Sequence, residues 1–245
     1  MTSMNHAAPD TRLRAALQAA SSSARLKSAL SAGTNPDPRF VEILVDRCAV
    51  EPDFFVRDML TWALTRHSSS QTVPRLLDEV RAGAPQARSQ ALHTLSKIGD
   101  PRGWSAITPA VLRDPDDEVA RSAWRTAVSL VPAGQRSELA EELCSQLGRG
   151  NREVQRSLSR AIAALGEVAL PYLTQRAAHD DSGIRTHAIA TVKLLHDPEE
   201  DFDAAVAEAK RVAALTNAPG LDADGPRGQV SGMAESFGDD PINQR

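Results

Sequence analysis

The sequence predicts an all-α fold: a solenoid of about six helical hairpins that ends in a C-terminal capping helix. The first observation is a repeat, because an apolar anchor followed by a helix-like apolar stripe recurs every 30–35 residues. The second is composition: aromatic residues make up only 4% of the chain, whereas Ala and Leu recur throughout, which favours closely packed helices. No stretch alternates convincingly with the period of two that a β-strand needs. The anchors are Ala24, Val56, Ala87, Val119, Val154 and Ile184.

The clearest unit is the stretch 114–130, DPDDEVARSAWRTAVSL. Val119, Ala123, Ala127 and Leu130 are spaced so that they share one side of a 3.6-residue helix, and Asp116 is placed to cap the first free amides. A short helix with a single apolar stripe cannot bury that stripe alone. Stacking against neighbours of the same kind is therefore expected.

Each anchor is predicted to belong to the second helix of a hairpin. Four of these helices have an N-cap residue three positions before the anchor (Asp53, Asp116, Asn151 and Asp181), and a fifth has Pro85 in its first turn. Turn-forming residues separate the helices, so consecutive helices should pack antiparallel. The first helices are expected at about 11–20, 39–48, 72–81, 104–113, 137–147 and 169–178.

The two ends of the chain differ in character from the repeats. We expect a disordered N-terminus at 1–10, a solenoid with its cap helix at 11–216, and an acidic disordered tail at 217–245. Residues 1–196 carry 24 basic and 21 acidic side chains, a net charge of +3, whereas residues 197–245 carry 4 and 11, a net charge of −7. The acidic tail is a candidate to occupy a basic groove on the body and to gate partner access.

Three features predict a cytoplasmic soluble protein, which we also expect to be a monomer. The N-terminus lacks a signal-peptide pattern, and no unbroken apolar segment approaches twenty residues. Cys48 and Cys144 are far apart and form no Cys-x-x-Cys pair, so we interpret them as buried thiols in a reducing compartment.

Three segments carry a family resemblance: EPDFFVRDMLTWAL at 51–64, LSKIGDPRG at 95–103 and DPDDEVARSAWRTA at 114–127. Their Asp-x-x-Val-Arg start and Gly-Asp-Pro-Arg turn resemble the short HEAT-like repeats of the phycobilisome lyase type. The resemblance covers about residues 11–196 and implies a right-handed α-solenoid. It does not specify a function, because proteins with such repeats include lyases, scaffolds and regulators.

Catalytic and metal-binding patterns are missing. The six histidines form no His-x-x-x-His pair, and the sequence holds no phosphate loop, dinucleotide fingerprint or Gly-x-Ser-x-Gly. The acidic run 114–118 lacks the Gly and terminal Glu of a calcium loop, so helix capping is its simplest interpretation. We therefore predict a non-catalytic protein with no metal and no cofactor.

One cluster exceeds what the repeat needs. Two successive second helices each carry a pair of arginines four residues apart, which is mildly unfavourable unless an acidic group lies opposite. We predict that a protein partner's acidic or phosphorylated segment binds here, on the second-helix face that the resemblance places on the concave side. The predicted partner-binding residues are Arg88, Arg121, Trp124, Arg125, Arg156, Arg160 and Trp62.

Several alternatives stay open. Trp62 and Trp124 could simply fill gaps between helices, and Arg88 could bond carboxylates or carbonyls of the adjacent repeat. A nucleic-acid-binding module is a second class, although neither Trp has a carboxylate one turn later, unlike the HEAT-like alkylpurine DNA glycosylases. A bilin-lyase-like enzyme, with Arg125 and Arg160 on the propionates, is a third.

Overall fold

The computed structural model describes residues 8–197, 199 and 201–216. Within these residues the chain is helical, with short 3-10 turns and no strand. The predicted tail at 217–245 lies outside the described residues, as does most of the predicted disordered N-terminus. The first helices of the hairpins are Pro9–Leu17 (α1), Phe40–Val50 (α3), Ser69–Ala82 (α5), Pro109–Leu112 (α7), Arg136–Cys144 (α9) and Leu170–Ala177 (α11). The second helices are Ser22–Thr34 (α2), Phe54–Thr65 (α4), Pro85–Ile98 (α6), Asp117–Leu130 (α8), Arg152–Leu165 (α10) and Ser182–His196 (α12). A final helix, α13, spans Phe202–Thr216.

The helices stack as two layers of an all-α solenoid, as predicted. Each second helix packs against the next along the chain, from α2 through α4, α6, α8 and α10 to α12. The first helices form the other layer. The surface of the second-helix layer that points away from the first helices is called the second-helix face below.

The predicted apolar stripe forms the core. Val119, Ala123 and Ala127 have no exposed surface, and Leu130 is 9% exposed. Burial of such a stripe stabilises the fold by about 25 cal/mol for each Å² of apolar surface removed from water. A short helix is barely stable in isolation, so most of its stability in the fold comes from this packing.

Local capping chemistry starts the second helices where the sequence predicts. The Asp116 carboxylate accepts hydrogen bonds from the amides of Glu118 and Val119 at 3.0 and 3.1 Å. The equivalent caps on α4, α10 and α12 are the predicted ones: Asp53, Asn151 and Asp181.

The arginine that follows an anchor clamps the loop of its own hairpin. Arg25, Arg57 and Arg185 each donate from Nη1 to the carbonyl oxygens six and five residues earlier, at 2.6–3.2 Å. A guanidinium can satisfy both carbonyls at once because its donors are fixed in a fork. This arginine therefore fixes the turn that leads into the second helix.

The fourth hairpin departs from the prediction. Instead of one helix at 104–113, the chain forms a 3-10 turn at Pro101–Ala106 and then the single-turn helix α7. Thr108 precedes a proline, which disfavours the helical conformation, and it is extended at φ −113° and ψ 157°. Its hydroxyl caps α7 by accepting from the Val111 amide at 3.3 Å.

The last helix packs on the last hairpin. Phe202, Ala205, Val206 and Ala209 of α13 form a small apolar cluster with residues of α12. None of the helices in the described part of the chain combines the length and apolarity that a membrane span requires.

Candidate functional site

A row of side chains crosses the second-helix face. Because the hairpins repeat, the residue six positions after each anchor occupies the same place on successive helices. From α2 to α10 this row consists of Leu30, Trp62, His93, Arg125 and Arg160. The row changes along the solenoid from apolar, through imidazole, to guanidinium.

Arg125 and Arg160 form the cationic end of the row. Arg125 is exposed, and its hydrogen bonds go to neutral acceptors: the Arg121 carbonyl at 3.3 Å and the Ser122 hydroxyl at 3.2 Å. Arg160 is also exposed, and it makes no ion pair with any described residue. Both line a shallow groove between α8 and α10, which Ser157 and Glu153 also line. The groove therefore offers two guanidiniums without a carboxylate partner among the described residues.

The electrostatic surroundings of Arg125 favour an anion. Partial burial lowers the pKa of Arg125, and the neighbouring charge of Arg121 lowers it further, against a smaller opposing effect of Glu118. Both causes disfavour the charged side chain as it stands. A bound carboxylate or phosphate would offset both effects, because it supplies an opposite charge and hydrogen-bond acceptors.

The two other predicted arginines of this cluster already have partners. Arg121 pairs with Glu118 at 2.7 Å and lies 3.7 Å from Glu153. Arg156 pairs with Asp203 of α13 at 2.6 Å. These two line the groove, but their charges are largely compensated within the chain.

Trp124 does not lie on this face, which corrects the prediction. Its side chain has no exposed surface, and the indole Nε1 donates to the Leu112 carbonyl at 2.9 Å. The Arg149 guanidinium lies 5.7 Å from the ring centroid. Trp124 stands five residues after its anchor and Trp62 stands six after its own, so the two differ by about 100° around the helix axis.

Arg88 is also corrected from partner binding to a structural role. Its Nε donates to the Val80 carbonyl at 3.2 Å, and its Nη2 donates to the buried carboxylate of Asp114. With Nε and Nη2 used inside the fold, Arg88 is poorly placed to meet a partner. Arg88 therefore links the end of α5 to the loop before α8.

Trp62 is the predicted aromatic residue that does reach the face. The residue is 38% exposed, and its ring lies directly against Gly33 of α2. Leu30, one turn before Gly33, is 43% exposed. Sequence reasoning missed Leu30 and His93, although counting six residues from each anchor would have found both.

The face is continuous from α4 to α10. A second shallow groove between α4, α6 and α8 is lined by Phe54, Asp58 and His93, and Arg125 lines both grooves. Burial lowers the pKa of His93, and the charges of Arg125 and Lys97 lower it further. The imidazole in the middle of the row is therefore neutral near pH 7.

Helix α13 closes the row at its C-terminal end. The sixth member of the row is Ala190, which is fully buried beneath α13. The Phe202 ring lies 5.7 Å from the Arg152 guanidinium and 6.0 Å from that of Arg156. The open part of the face therefore ends at α10.

Other reactive groups lie away from this face. Burial raises the pKa of the Cys48 thiol to about 12, and that of Cys144 to about 12 as well. Thiols of such high pKa carry little thiolate near pH 7. Within the described ranges no cluster of three His, Cys, Asp or Glu side chains could hold a metal ion.

Comparison with known proteins agrees with this architecture. Residues 51–129 match a family model described as HEAT repeats. Residues 51–129 therefore contain HEAT-like repeats, and the helical architecture of the other described residues is consistent with the same repeat type. No match was found among curated proteins. The matched segment runs from the loop before α4 to the last turn of α8, so it contains the row from Trp62 to Arg125.

Proposed function

We propose that this protein is a non-catalytic scaffold or adaptor, and that its second-helix face binds an acidic or phosphorylated segment of a protein partner. HEAT repeats commonly serve as protein-interaction scaffolds. The observation that carries the proposal is the pair Arg125 and Arg160, two exposed guanidiniums in one groove without acidic partners among the described residues.

The contrast with the other arginines supports this assignment. Arg25, Arg57 and Arg185 each satisfy loop carbonyls, and Arg88 and Arg156 each face a carboxylate of the chain. A guanidinium that stabilises the fold finds its acceptors within the chain. Arg125 and Arg160 instead keep their charge available to a ligand that supplies carboxylate or phosphate oxygens.

The direct test is fluorescence anisotropy with two labelled peptides, hexaglutamate and a triphosphoserine peptide. The variant is R125E/R160E. Since a hydrogen bond to a charged group contributes about 1.5–3 kcal/mol, we expect binding to weaken at least about tenfold. The matched control is R12E/R81E, which makes the same charge change at exposed positions of first helices.

Two outcomes would count against the proposal. An equal loss in R12E/R81E would mean that only net charge matters. Tighter binding of a 20-base-pair DNA duplex, with affinity that falls steeply as salt rises, would favour the nucleic-acid class instead.

A further inference from the structure

We infer that the second-helix face binds one extended segment of a partner protein that has two chemically different ends. An apolar side chain of the segment contacts Leu30 and Trp62, while acidic or phosphorylated residues contact Arg125 and Arg160. This inference rests on the proposed function. It adds the apolar contact, the distance between the apolar and the acidic contact, and their order along the solenoid.

The apolar end is built into the packing of α2 and α4. A Cβ placed on Gly33 would stand 2.4 Å from Cζ3 and 2.8 Å from Cε3 of Trp62, so the indole packs closely against the α2 backbone at Gly33. This contact holds the ring in place while 38% of the residue stays exposed. Leu30 extends the apolar surface by one helical turn, and it is 43% exposed.

Charge determines that the acidic end of the segment binds at α8 and α10 rather than at α4. At the apolar end, the exposed Asp58 one turn before Trp62 and the exposed Arg66 one turn after it offset each other, so this end offers an acidic residue no net attraction. At the other end, Arg125 and Arg160 attract that residue. The neutral His93 lies between the two ends and favours neither.

The separation of the two ends follows from helix stacking. Neighbouring helices pack about 8–10 Å apart, so α4 and α8 are about 20 Å apart and α4 and α10 about 30 Å. An extended chain advances about 3.3 Å per residue. The apolar and acidic groups of the partner should therefore be separated by about six to nine residues.

The face is open over this distance but not beyond it. Ala190, the next member of the row, is buried under α13. Asp203 already neutralises the adjacent Arg156, which leaves Arg160 as the last available cation of the row. The segment therefore has a defined end point on the solenoid.

The test uses synthetic peptides in which a phenylalanine is joined to three glutamates by Gly-Ser linkers of two, six or fourteen residues. Both sequence orders are made, and anisotropy is measured on the full chain. We expect the six-residue linker to bind about tenfold tighter than the two-residue linker, because only the longer peptide reaches both ends. The fourteen-residue linker should bind about threefold more weakly than the six-residue one, since effective concentration falls with linker length.

Variants locate the apolar contact. Trp62→Ala and Leu30→Ser should remove the advantage of the six-residue linker but keep binding of triglutamate alone. Phe55→Ala is the matched control, because Phe55 is 70% exposed but lies outside the row, and it should leave the linker dependence intact. Circular dichroism confirms that each variant is folded.

The outcomes separate this inference from the proposed function. If triglutamate binds through Arg125 and Arg160 but all three linkers bind equally, the inference fails and the proposed function stands. If triglutamate does not bind, both fail. Tighter binding of a ten-nucleotide thymidine oligonucleotide, lost in Trp62→Ala, would overturn the peptide assignment, because bases can also stack on this ring.

Discussion

Arg25 donates hydrogen bonds to both carboxylate oxygens of Glu51, from Nε at 2.8 Å and from Nη2 at 2.7 Å. Glu51 has no exposed surface, and it also accepts from Arg47 and from the Asp53 amide. The contact joins α2 to the loop between α3 and α4. A single carboxylate thus links the first two hairpins of the solenoid.

Glu51→Gln should destabilise the protein strongly. The substitution leaves the nearly buried Arg25 without its counter-charge, and breaking one side of such a pair costs about 3–5 kcal/mol. Urea unfolding monitored by circular dichroism measures the change in the free energy of unfolding. Asp78→Asn is the control, because the pair of Asp78 with Arg81 is exposed and should contribute at most about 1 kcal/mol. Equal effects of both substitutions would contradict the assigned role of Glu51.

The same contact predicts a pH dependence. Burial raises the pKa of Glu51, but hydrogen bonds from Arg25, the Asp53 amide and Arg47 outweigh it and hold that pKa at about 2. A glutamate in the unfolded chain titrates near 4.3. The unfolded chain therefore takes up the proton first, and the stabilisation present above about pH 4.5 is lost as the pH falls towards 2. The difference in unfolding free energy between wild type and Glu51→Gln should shrink by about 3 kcal/mol across this window.

Trp124→Phe tests whether Trp124 belongs to the core and not to the binding surface. The substitution leaves the Leu112 carbonyl without its donor and creates a small cavity, so we expect a loss of about 2–3 kcal/mol. Thermal unfolding measures this loss. Affinity for hexaglutamate should stay unchanged, because the ring is buried beneath the face. A weaker peptide affinity with unaltered stability would instead return Trp124 to the binding surface.

Asp203→Ala should strengthen binding of anionic peptides. Asp203 pairs with Arg156 at 2.6 Å and Arg152 at 3.2 Å, so its removal frees Arg156, which lines the groove, and Arg152 one turn before it. We expect affinity for hexaglutamate to rise about threefold in low salt. Glu208→Ala is the control, because Glu208 pairs with Arg211 on the same helix. If both variants bind alike, α13 does not restrict the site.

Gly33→Ala should destabilise the hairpin contact that holds Trp62. The added Cβ would meet the indole at 2.4 Å and the Ala63 Cα at 2.8 Å, and such overpacking costs about 1–3 kcal/mol. Thermal unfolding gives the stability change, and the summed emission of the three tryptophans should shift to longer wavelength as the Trp62 ring moves into water, a shift that Trp62→Phe abolishes. Gly134→Ala is the matched control, since no atom lies within 4 Å of its added Cβ. Unchanged fluorescence in Gly33→Ala would show that the ring does not depend on this contact.

Local physics explains why much of the architecture could be predicted. Asp116 and its counterparts cap second helices because a short side-chain oxygen meets free amides wherever such a helix begins. Val119 and Ala123 are buried because helical periodicity places them on one side. In the fourth hairpin, Thr108 and Pro109 interrupt the first helix, because a residue before proline disfavours the helical conformation. This interruption could also have been predicted from the sequence.

The sequence by itself therefore determined the repeat, its caps, its apolar stripe and the clustering of arginines on two successive helices. Only the tertiary structure decided which of those arginines stay free. Asp203 neutralises Arg156 from 47 positions away, Asp114 holds Arg88 from the next hairpin, and Arg125 and Arg160 find no such partner among the described residues. The reason is physical: periodicity places a charge on a helix face, but its counter-charge comes from packing between distant segments.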